Sequence, residues 1–152
     1  MNAPARTEIR RRRERAAGQD TVLAVLHEGL LAHVGITTDH GPVVIPMTYG
    51  LSGTTLYLHG SPASRLLRAL GDAIPVCVTV TLLDGLVLAR SAFHHSMNYR
   101  SAVVFGTART VHDDAEKAAA FDAIVDHVVP GRRAEVRPAS SKETDATLVL
   151  AL

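Results

Sequence analysis

Short runs of β-branched and apolar residues are separated by turn-forming residues through most of this chain, and that pattern limits the fold more than any other feature. Such runs predict antiparallel strands joined in a meander, because tight turns reverse the chain between neighbours. Turn chemistry occurs at 39–41 and at Ser52-Gly53, and Asp84-Gly85 is the best two-residue hairpin signal. The predicted strands cover residues 32–38, 43–49, 54–59, 76–82, 86–92, 99–111 and 147–152.

Three helices are predicted at joints between these strands, each opened by a residue that can cap its N-terminus. No alternation of strand and helix is sustained, which excludes a doubly wound parallel sheet and favours a small barrel decorated by helices. The predicted helices are 21–28 capped by Asp20, 62–70 capped by Ser61 with Pro62 in its first turn, and 113–129 with an Asp113/Glu116 capping box.

The positive charge of the chain is concentrated at its start. The first 15 of the 152 residues hold six arginines against two glutamates, whereas the remainder has ten Lys and Arg against thirteen Asp and Glu, a net charge of −3. A mildly acidic body with few aromatic residues argues against a nucleic-acid surface. We therefore predict a flexible basic arm over 1–18 and one domain over 19–152.

The segment 59–65, His59-Gly60-Ser61-Pro62-Ala63-Ser64-Arg65, places the end of a predicted strand beside the start of a predicted helix. Free backbone N–H groups and the positive end of a helix dipole favour an anion at such a joint. The two serines add hydroxyl groups, and Arg65 adds a cation where the dipole alone would disfavour one. A phosphate fits this set, and an ordinary capped helix with solvated arginines is the alternative.

Two further segments suit a flat polar ligand. The predicted strand 43–49 contains Pro46, which strands tolerate only at an edge or a bulge, where backbone groups stay free to meet a ligand. The predicted connection 90–101 carries more polar groups than chain reversal needs, and these can pair with a heterocycle or add charge to a phosphate. Its polar residues include Asn98, Tyr99, Arg100 and Ser101.

The histidines raise the question of a metal or a haem. His59, His94 and His95 are the candidates for gathering near one site. No HExxH motif and no Cys/His ligand spacing is present, so a metal ion is not expected, whereas haem ligation by one of the three stays open. No serine-hydrolase motif occurs, and His59, His94 and Tyr99 are acid–base candidates by residue type alone.

Three segments carry a family resemblance: VVIPMTYG at 43–50, LYLHGSPASRLLRAL at 56–70 and DGLVLARSAFHHSMNYRSAVVFGTA at 84–108. Together with VPGRR at 129–133 they span most of residues 20–150. The chain is similar to the flavin-binding split-barrel proteins related to pyridoxamine 5′-phosphate oxidase, in the branch near the nitroimidazole-resistance proteins. The resemblance implies a mainly β fold, a six- to seven-stranded antiparallel split β-barrel with flanking helices.

The resemblance also implies FMN as the cofactor and a homodimer whose two FMN sites lie at the subunit interface. The strand–helix joint, including His59, and nearby basic side chains would hold the flavin phosphate. The strand around Pro46 and part of the polar connection would contact the ring. The site residues implied are Ser61, Ser64 and Arg65 for the phosphate, with Arg100 or Ser101 as helpers, and Pro46, Met47, Thr48, Asn98 and Tyr99 for the ring.

The chain departs from the family pattern in two respects. Arg65 and Arg68 stand where relatives commonly have Lys. Relatives also continue past the strand at 147–152, and no basic residue follows Lys142, so oxidation of pyridoxamine phosphate is not expected.

These observations predict a cytoplasmic, homodimeric FMN-binding protein that passes electrons from a reduced nicotinamide to a small acceptor. No apolar run reaches the length of a membrane span, and a single cysteine allows no intramolecular disulfide. Three alternatives stay open: a deazaflavin-dependent reductase, a haem-binding or haem-degrading protein, and a flavin-binding module without turnover.

Overall fold

The structure is a computed structural model that describes Ile9 and residues 17–152, so the predicted arm lies almost entirely outside the described residues. The described part contains eight strands and four α-helices. The strands are β1 (Ala32–Thr38), β2 (Gly41–Met47), β3 (Gly50–Ser52), β4 (Thr55–Gly60), β5 (Pro75–Val87), β6 (Ser96–Thr107), β7 (Arg109–Thr110) and β8 (Leu148–Ala151). The helices are α1 (Gln19–Glu28), α2 (Arg65–Gly71), α3 (Asp114–Val128) and α4 (Ser141–Asp145), with 3₁₀ turns at Ala92–His94 and Arg132–Glu135.

Two four-stranded antiparallel sheets form the split barrel, in the orders β2-β1-β5-β6 and β3-β4-β8-β7. The fold is therefore mainly β with flanking helices, as predicted. Its longest pairing joins β5 to β6, from Pro75 opposite Thr107 to Val87 opposite Ser96. The chain leaves the first sheet after Thr107, one residue beyond Gly106, where the sequence predicts a bend, and it enters the second sheet as β7.

Apolar side chains from both sheets fill the space between them. Alternation along β5 buries Val76, Val78 and Val80, as the sequence predicts. α1 closes one end of this core, and the buried Tyr49 fixes the end of that helix. Its hydroxyl donates to the carbonyl oxygens of Leu26 at 2.6 Å and Gly29 at 2.7 Å.

α3 covers the opposite face of the second sheet. On β4, Leu56 and Leu58 belong to the barrel core, whereas Tyr57 packs in a second cluster with α3. Gly50 on β3 permits this close packing, because a Cβ there would lie 2.7 Å from the backbone nitrogen of Ile124. The second sheet is therefore buried on both sides, with the barrel on one and α3 on the other.

The predicted hairpin turn at Asp84-Gly85 is wrong. β5 continues through both residues, and a shift of register between Leu83 and Gly85 marks a β-bulge. The chain reverses later, over 88–95. Asp-Gly suits a bulge as well as a turn, because glycine relaxes the backbone wherever the ladder is interrupted. The separate strand predicted over 86–92 is wrong for the same reason.

Two helix starts differ from the prediction. Ser64 rather than Ser61 caps α2, and its Oγ accepts a hydrogen bond from the backbone N–H of Leu67 at 3.3 Å. Residues 61–64 form a turn instead, in which the Ser64 N–H donates to the Ser61 carbonyl oxygen at 2.9 Å, so the helix begins only at Arg65. Gly18 is the N-cap of α1, and Asp20 lies in its first turn, where a carboxylate complements the helix dipole.

Candidate functional site

A groove lies between the start of α2 and the strands β1 and β2, and we call it the apolar groove. Its volume is about 620 Å³, within the range of small-molecule sites. Thr38, His40, Ser64 and Arg65 are its polar lining residues. The rest of its wall is apolar and consists of Ile36, Val43, Ile45, Met47 and Leu66.

Arg65 is the cation of the apolar groove. It is the first residue of α2 and is exposed, and no ion pair or hydrogen bond holds its side chain within the described residues. Arg68, one turn further, instead donates to the carbonyl oxygen of Ala63 at 3.4 Å. A guanidinium without a carboxylate partner is available to an anionic ligand.

The two serines beside Arg65 take part in the local turn. The Ser61 Oγ accepts from the backbone N–H of Ala63 at 3.1 Å, and Ser64 caps α2. Each hydroxyl keeps its own O–H, which can still be donated to a ligand oxygen. Ser64 and Arg65 line the groove together, and Ser61 lies exposed just before them.

The strand predicted to meet a ligand lies at the edge of its sheet. β2 is the first strand in the order β2-β1-β5-β6, and Pro46 sits opposite His33 of β1. This position explains how a proline is accommodated, since an edge strand has one unpaired side. Met47 lines the apolar groove, and Thr48 follows the strand and is exposed.

The polar set from β6 lines a different cavity. Asn98, Tyr99, Arg100 and Ser101 border a space of about 550 Å³ together with Asp84 and residues of α1. Within one chain, therefore, the structure does not bring these four residues to the apolar groove.

Arg100 is held by two carboxylates. It donates to both oxygens of Glu28 at 2.6 and 2.8 Å, and to Asp84 at 2.8 to 3.2 Å. These hydrogen bonds lower the pKa of the Glu28 and Asp84 carboxyls and raise the pKa of Arg100 itself. Binding of a phosphate by Arg100 would require it to exchange these partners.

His59 points away from the apolar groove. It lies on β4 two residues after Tyr57, so strand alternation turns both side chains toward α3. It lines a cavity of about 790 Å³ beside that helix. Its Nδ1 is buried without a hydrogen-bond partner in the described structure, and burial lowers the pKa of the ring. The structure thus separates His59 from Ser64 and Arg65, although they are neighbours in sequence.

The other two histidines considered for haem lie in the connection between β5 and β6. His94 and His95 are both exposed. The His95 Nδ1 is 3.1 Å from the carbonyl oxygen of Ser91, a contact within the same turn. They share no described cavity with His59.

Sequence reasoning missed most of the apolar wall of the groove. Alternation along 32–38 puts Ile36 and Thr38 on one face of a strand, but it does not say which element covers that face. The wall needs β1, β2 and α2 to be brought together, which depends on the whole sheet order. The missed groove residues are Ile36, Thr38, His40, Val43, Ile45 and Leu66.

Large apolar side chains are exposed along β2, β5 and β6, and we call this surface the apolar face. Leu86 is 69% exposed and Leu83 is 62% exposed, values unusual for strand residues of this size. Contiguous exposed apolar surface of this kind marks an interaction site in a monomeric domain. The apolar face consists of Val44, Leu83, Leu86, Met97, Tyr99 and Val103.

Two kinds of feature are not found in the part of the chain that the structure describes. No group of three or more His, Cys, Asp or Glu side chains is arranged to hold a metal ion. No helix there is both long and apolar enough to cross a membrane.

Three solved structures are similar to this chain over most of its length. The FAD and heme binding protein from Mycobacterium smegmatis is 43% identical, with a TM-score of 0.84; the match covers 90% of this chain and 66% of that protein. The flavocytochrome Anf3 from Azotobacter vinelandii is 40% identical, with a TM-score of 0.87 and coverages of 98% and 70%. A candidate 5-nitroimidazole antibiotic resistance protein from Bacteroides thetaiotaomicron is 26% identical, with a TM-score of 0.72 and coverages of 90% and 79%.

The chain spans about two thirds of the Mycobacterium smegmatis protein, and the search of curated proteins gave no match. The family model described as pyridoxamine 5′-phosphate oxidase matches residues 18–152, which is nearly the whole described chain. With a split barrel of two antiparallel sheets and relatives at 40% identity or more, this chain belongs to the pyridoxamine 5′-phosphate oxidase family.

Proposed function

We propose that this chain binds a flavin in the apolar groove and acts as an oxidoreductase that passes electrons from a reduced nicotinamide to a small acceptor. The observation that carries the proposal is Arg65, an exposed cation without a carboxylate partner in the described residues, at the edge of an apolar wall. A flavin phosphate ester combines a flat apolar ring with an anion. Two similar proteins whose names state FAD or flavocytochrome support the choice of ligand.

The groove residues suit the two ends of such a ligand. Val43, Ile45 and Met47 offer apolar surface to the ring system, while Arg65 and the Ser64 hydroxyl offer donors to the phosphate. The flavin, when bound, supplies hydride and single-electron chemistry. The part of the protein is to hold the ring in one orientation and exclude water from the face that packs on β2.

FMN is the flavin that we propose. Arg65 and Ser64 make one anion site, and FMN carries one phosphate group. FAD, named for the Mycobacterium smegmatis relative, adds a second phosphate and an adenosine that would need further contacts outside the apolar groove. Comparing the affinities of FMN and FAD for the purified chain distinguishes the two cofactors.

We further propose a homodimer in which each flavin lies between two chains. The apolar face is the surface that a second copy would cover. Tyr99 belongs to this face and Asn98 precedes it on β6, yet both line a cavity separate from the groove of their own chain. A second copy would provide the route by which these predicted ring contacts reach a flavin, because they would approach the groove of the partner.

The experiment is a titration of the purified chain with FMN, FAD, riboflavin and a deazaflavin, followed by flavin fluorescence. We expect FMN to bind more tightly than riboflavin, because only FMN offers an anion to Arg65. Anaerobic addition of reduced nicotinamide should then bleach the bound flavin, and a small acceptor should restore its colour. Failure of every flavin to bind would overturn the proposal, and binding without bleaching would reduce it to a flavin-binding module.

A further inference from the structure

The cavity that contains His59 has no part in the proposed flavin site, and we call it the His59 cavity. It lies between β4, α3 and the segment 133–144, and its volume is about 790 Å³. The apolar groove is lined by β1, β2 and the start of α2, and it shares no lining residue with the His59 cavity. The His59 cavity is therefore a second candidate site, built from different residues.

His59 presents an imidazole that lacks a protein partner. Neither ring nitrogen makes a hydrogen bond within the described residues, and the Nδ1 is fully shielded from solvent. Buried polar atoms in folded proteins are nearly always paired, so the unpaired Nδ1 is unusual. Because an atom shielded from solvent does not face an open cavity, the Nε2, which is not fully buried, is the ring nitrogen that can meet a ligand there. Burial also lowers the pKa of His59, which keeps the ring neutral and its lone pair free. A neutral imidazole is the form in which histidine binds a metal.

The walls of the His59 cavity are largely apolar. Phe121 and Val125 of α3 form one side, and Val136 with Pro138 forms the other. A charged polar ligand would leave these surfaces without partners, whereas a large flat apolar molecule would bury them.

Two arginines also border this cavity. Arg133 uses its Nε to pair with Asp122, so its two terminal nitrogens are left without partners within the described structure. Arg137 instead makes a two-pronged ion pair with Glu143, at 2.7 and 2.8 Å. Arg133 is consequently the cation better placed to receive an acidic group on a ligand.

We infer that the His59 cavity binds haem, with the His59 imidazole as a ligand of the iron and Arg133 as the partner of a haem carboxylate. Haem is a ligand class that combines a flat apolar ring, a metal that takes a neutral imidazole and acidic side groups. A bare metal ion does not fit, because no cluster of three ligating side chains occurs in the described residues. The names of two relatives state heme or flavocytochrome, in agreement with this choice.

The test is a titration of the purified full-length chain with haemin, followed by its absorption spectrum in the oxidised and reduced forms. We expect a Soret band and visible bands typical of an imidazole-ligated iron. His59→Ala should lose this spectrum, and added imidazole should restore it by filling the space left by the side chain. His94→Ala is the matched control, since His94 is exposed and shares no described cavity with His59. A wild-type chain that binds no haem, or an unchanged spectrum in His59→Ala, would overturn the inference.

A second pair of measurements keeps the inference testable if His59→Ala does not fold. His59→Gln fills the site without supplying an imidazole and should also lose the imidazole spectrum. Arg133→Gln should weaken haem binding by about tenfold, the effect of one charge-assisted hydrogen bond, and should leave the dimethyl ester of haem unaffected. Equal weakening for both forms of haem would exclude the carboxylate contact.

This inference does not depend on the proposed flavin site. Arg65 lines the apolar groove and His59 lines the other cavity, so each variant reports on one ligand. Measuring FMN and haem on the same preparations separates the failure of one proposal from the failure of the other. Arg65→Ala should bind haem normally, and His59→Gln should bind FMN normally.

Discussion

At the level of single residues, Arg65 and Arg68 lie one turn apart on α2 and differ in what holds them. Arg68 donates to the carbonyl oxygen of Ala63, whereas the Arg65 side chain has no partner in the described residues. Arg65→Ala should therefore weaken FMN binding by about tenfold or more, the effect of one lost charge-assisted bond. Riboflavin, which has no phosphate, should bind equally well before and after the change.

Arg68→Ala is the control for this experiment, because it removes a cation from the same helix at a position outside the apolar groove. Fluorescence titration of both variants with both ligands gives the four affinities needed. If Arg65→Ala weakened riboflavin as much as FMN, the phosphate contact would be wrong.

The titration of Tyr49 should make the free energy of unfolding depend on pH in the alkaline range. Burial raises the pKa of Tyr49 to about 12, whereas an unfolded chain releases the same proton near pH ~10. Between these values the unfolded state binds fewer protons than the folded state. The contribution of Tyr49 to the free energy of unfolding is therefore complete below pH ~10 and decreases as the pH rises toward about 12. The loss should be absent in Tyr49→Phe, because phenylalanine does not titrate.

Tyr49→Phe should also lower the free energy of unfolding by about 1–3 kcal/mol near neutral pH, because the carbonyl oxygen of Leu26 loses its donor and that of Gly29 keeps only its contact with the His127 Nε2. Urea denaturation near pH ~7 and near pH ~10.5 measures both effects. The difference in free energy of unfolding between wild type and Tyr49→Phe should be smaller at the higher pH. A difference that stays constant would contradict the link between Tyr49 burial and alkaline stability.

The local sequence predicts the place of some site residues correctly and of others wrongly. Ser64 and Arg65 were predictable as anion-binding candidates because they lie together near a predicted helix start, although the predicted cap, Ser61, lies three residues before the observed one. His59 was grouped with them because only six positions separate it from Arg65. Its position on β4 turns His59 to the face covered by α3, and sequence spacing alone does not reveal which helix covers which face.

At the level of elements, β1 and α3 show that residue pattern and N-terminal capping can predict where a strand or a helix begins or ends. The sequence predicts β1 with both of its ends, because a β-branched run is closed by a turn at Asp39. α3 begins after Asp113, whose carboxylate accepts from the backbone N–H of Glu116 at 2.7 Å, which is one half of the predicted capping box. The Glu116 carboxylate accepts from Arg109 instead of completing the other half. α4 was missed although Ser140 and Glu143 form a full capping box, because its five residues carry no apolar period.

The packing of α3 on β3 gives a prediction at the same level. In Gly50→Ala the new methyl group would meet the backbone of α3 at 2.7 Å, so the helix must shift. We expect a loss of about 1–3 kcal/mol in the free energy of unfolding, the usual effect of overpacking. Gly85→Ala is the matched control, since nothing lies within 4 Å of the added methyl group. Urea melts of the two variants should differ, and equal stability would show that α3 is not tightly seated on Gly50.

At the level of the whole molecule, the predicted site is divided among three places on one chain. Ser64, Arg65 and Met47 share the apolar groove, residues 98–101 border another cavity, and His59 borders a third. A sequence lists these groups without saying whether one chain or two must complete a site. The exposed apolar face is the structural reason to expect two.

The homodimer leads to a prediction about assembly. An obligate interface of this type buries on the order of 2,000 Å² or more in total, and a charge at its centre carries a large desolvation cost. Leu86 is exposed on β5 within the apolar face, so Leu86→Lys should shift the monomer–dimer equilibrium strongly toward the monomer. Val129→Lys is the control, because Val129 is also exposed but follows α3 on the opposite sheet.

Flavin binding should be linked to that equilibrium, because a ligand that binds only the paired state stabilises it by mass action. Analytical ultracentrifugation at falling protein concentration, with and without FMN, measures the linkage. We expect FMN to hold wild-type chains together at concentrations where the free protein dissociates, and Leu86→Lys to lose FMN affinity in parallel with dimerisation. A monomer that retains full FMN affinity would refute the shared site. It would also leave residues 98–101 without a route to the flavin, since in their own chain they border a cavity separate from the apolar groove.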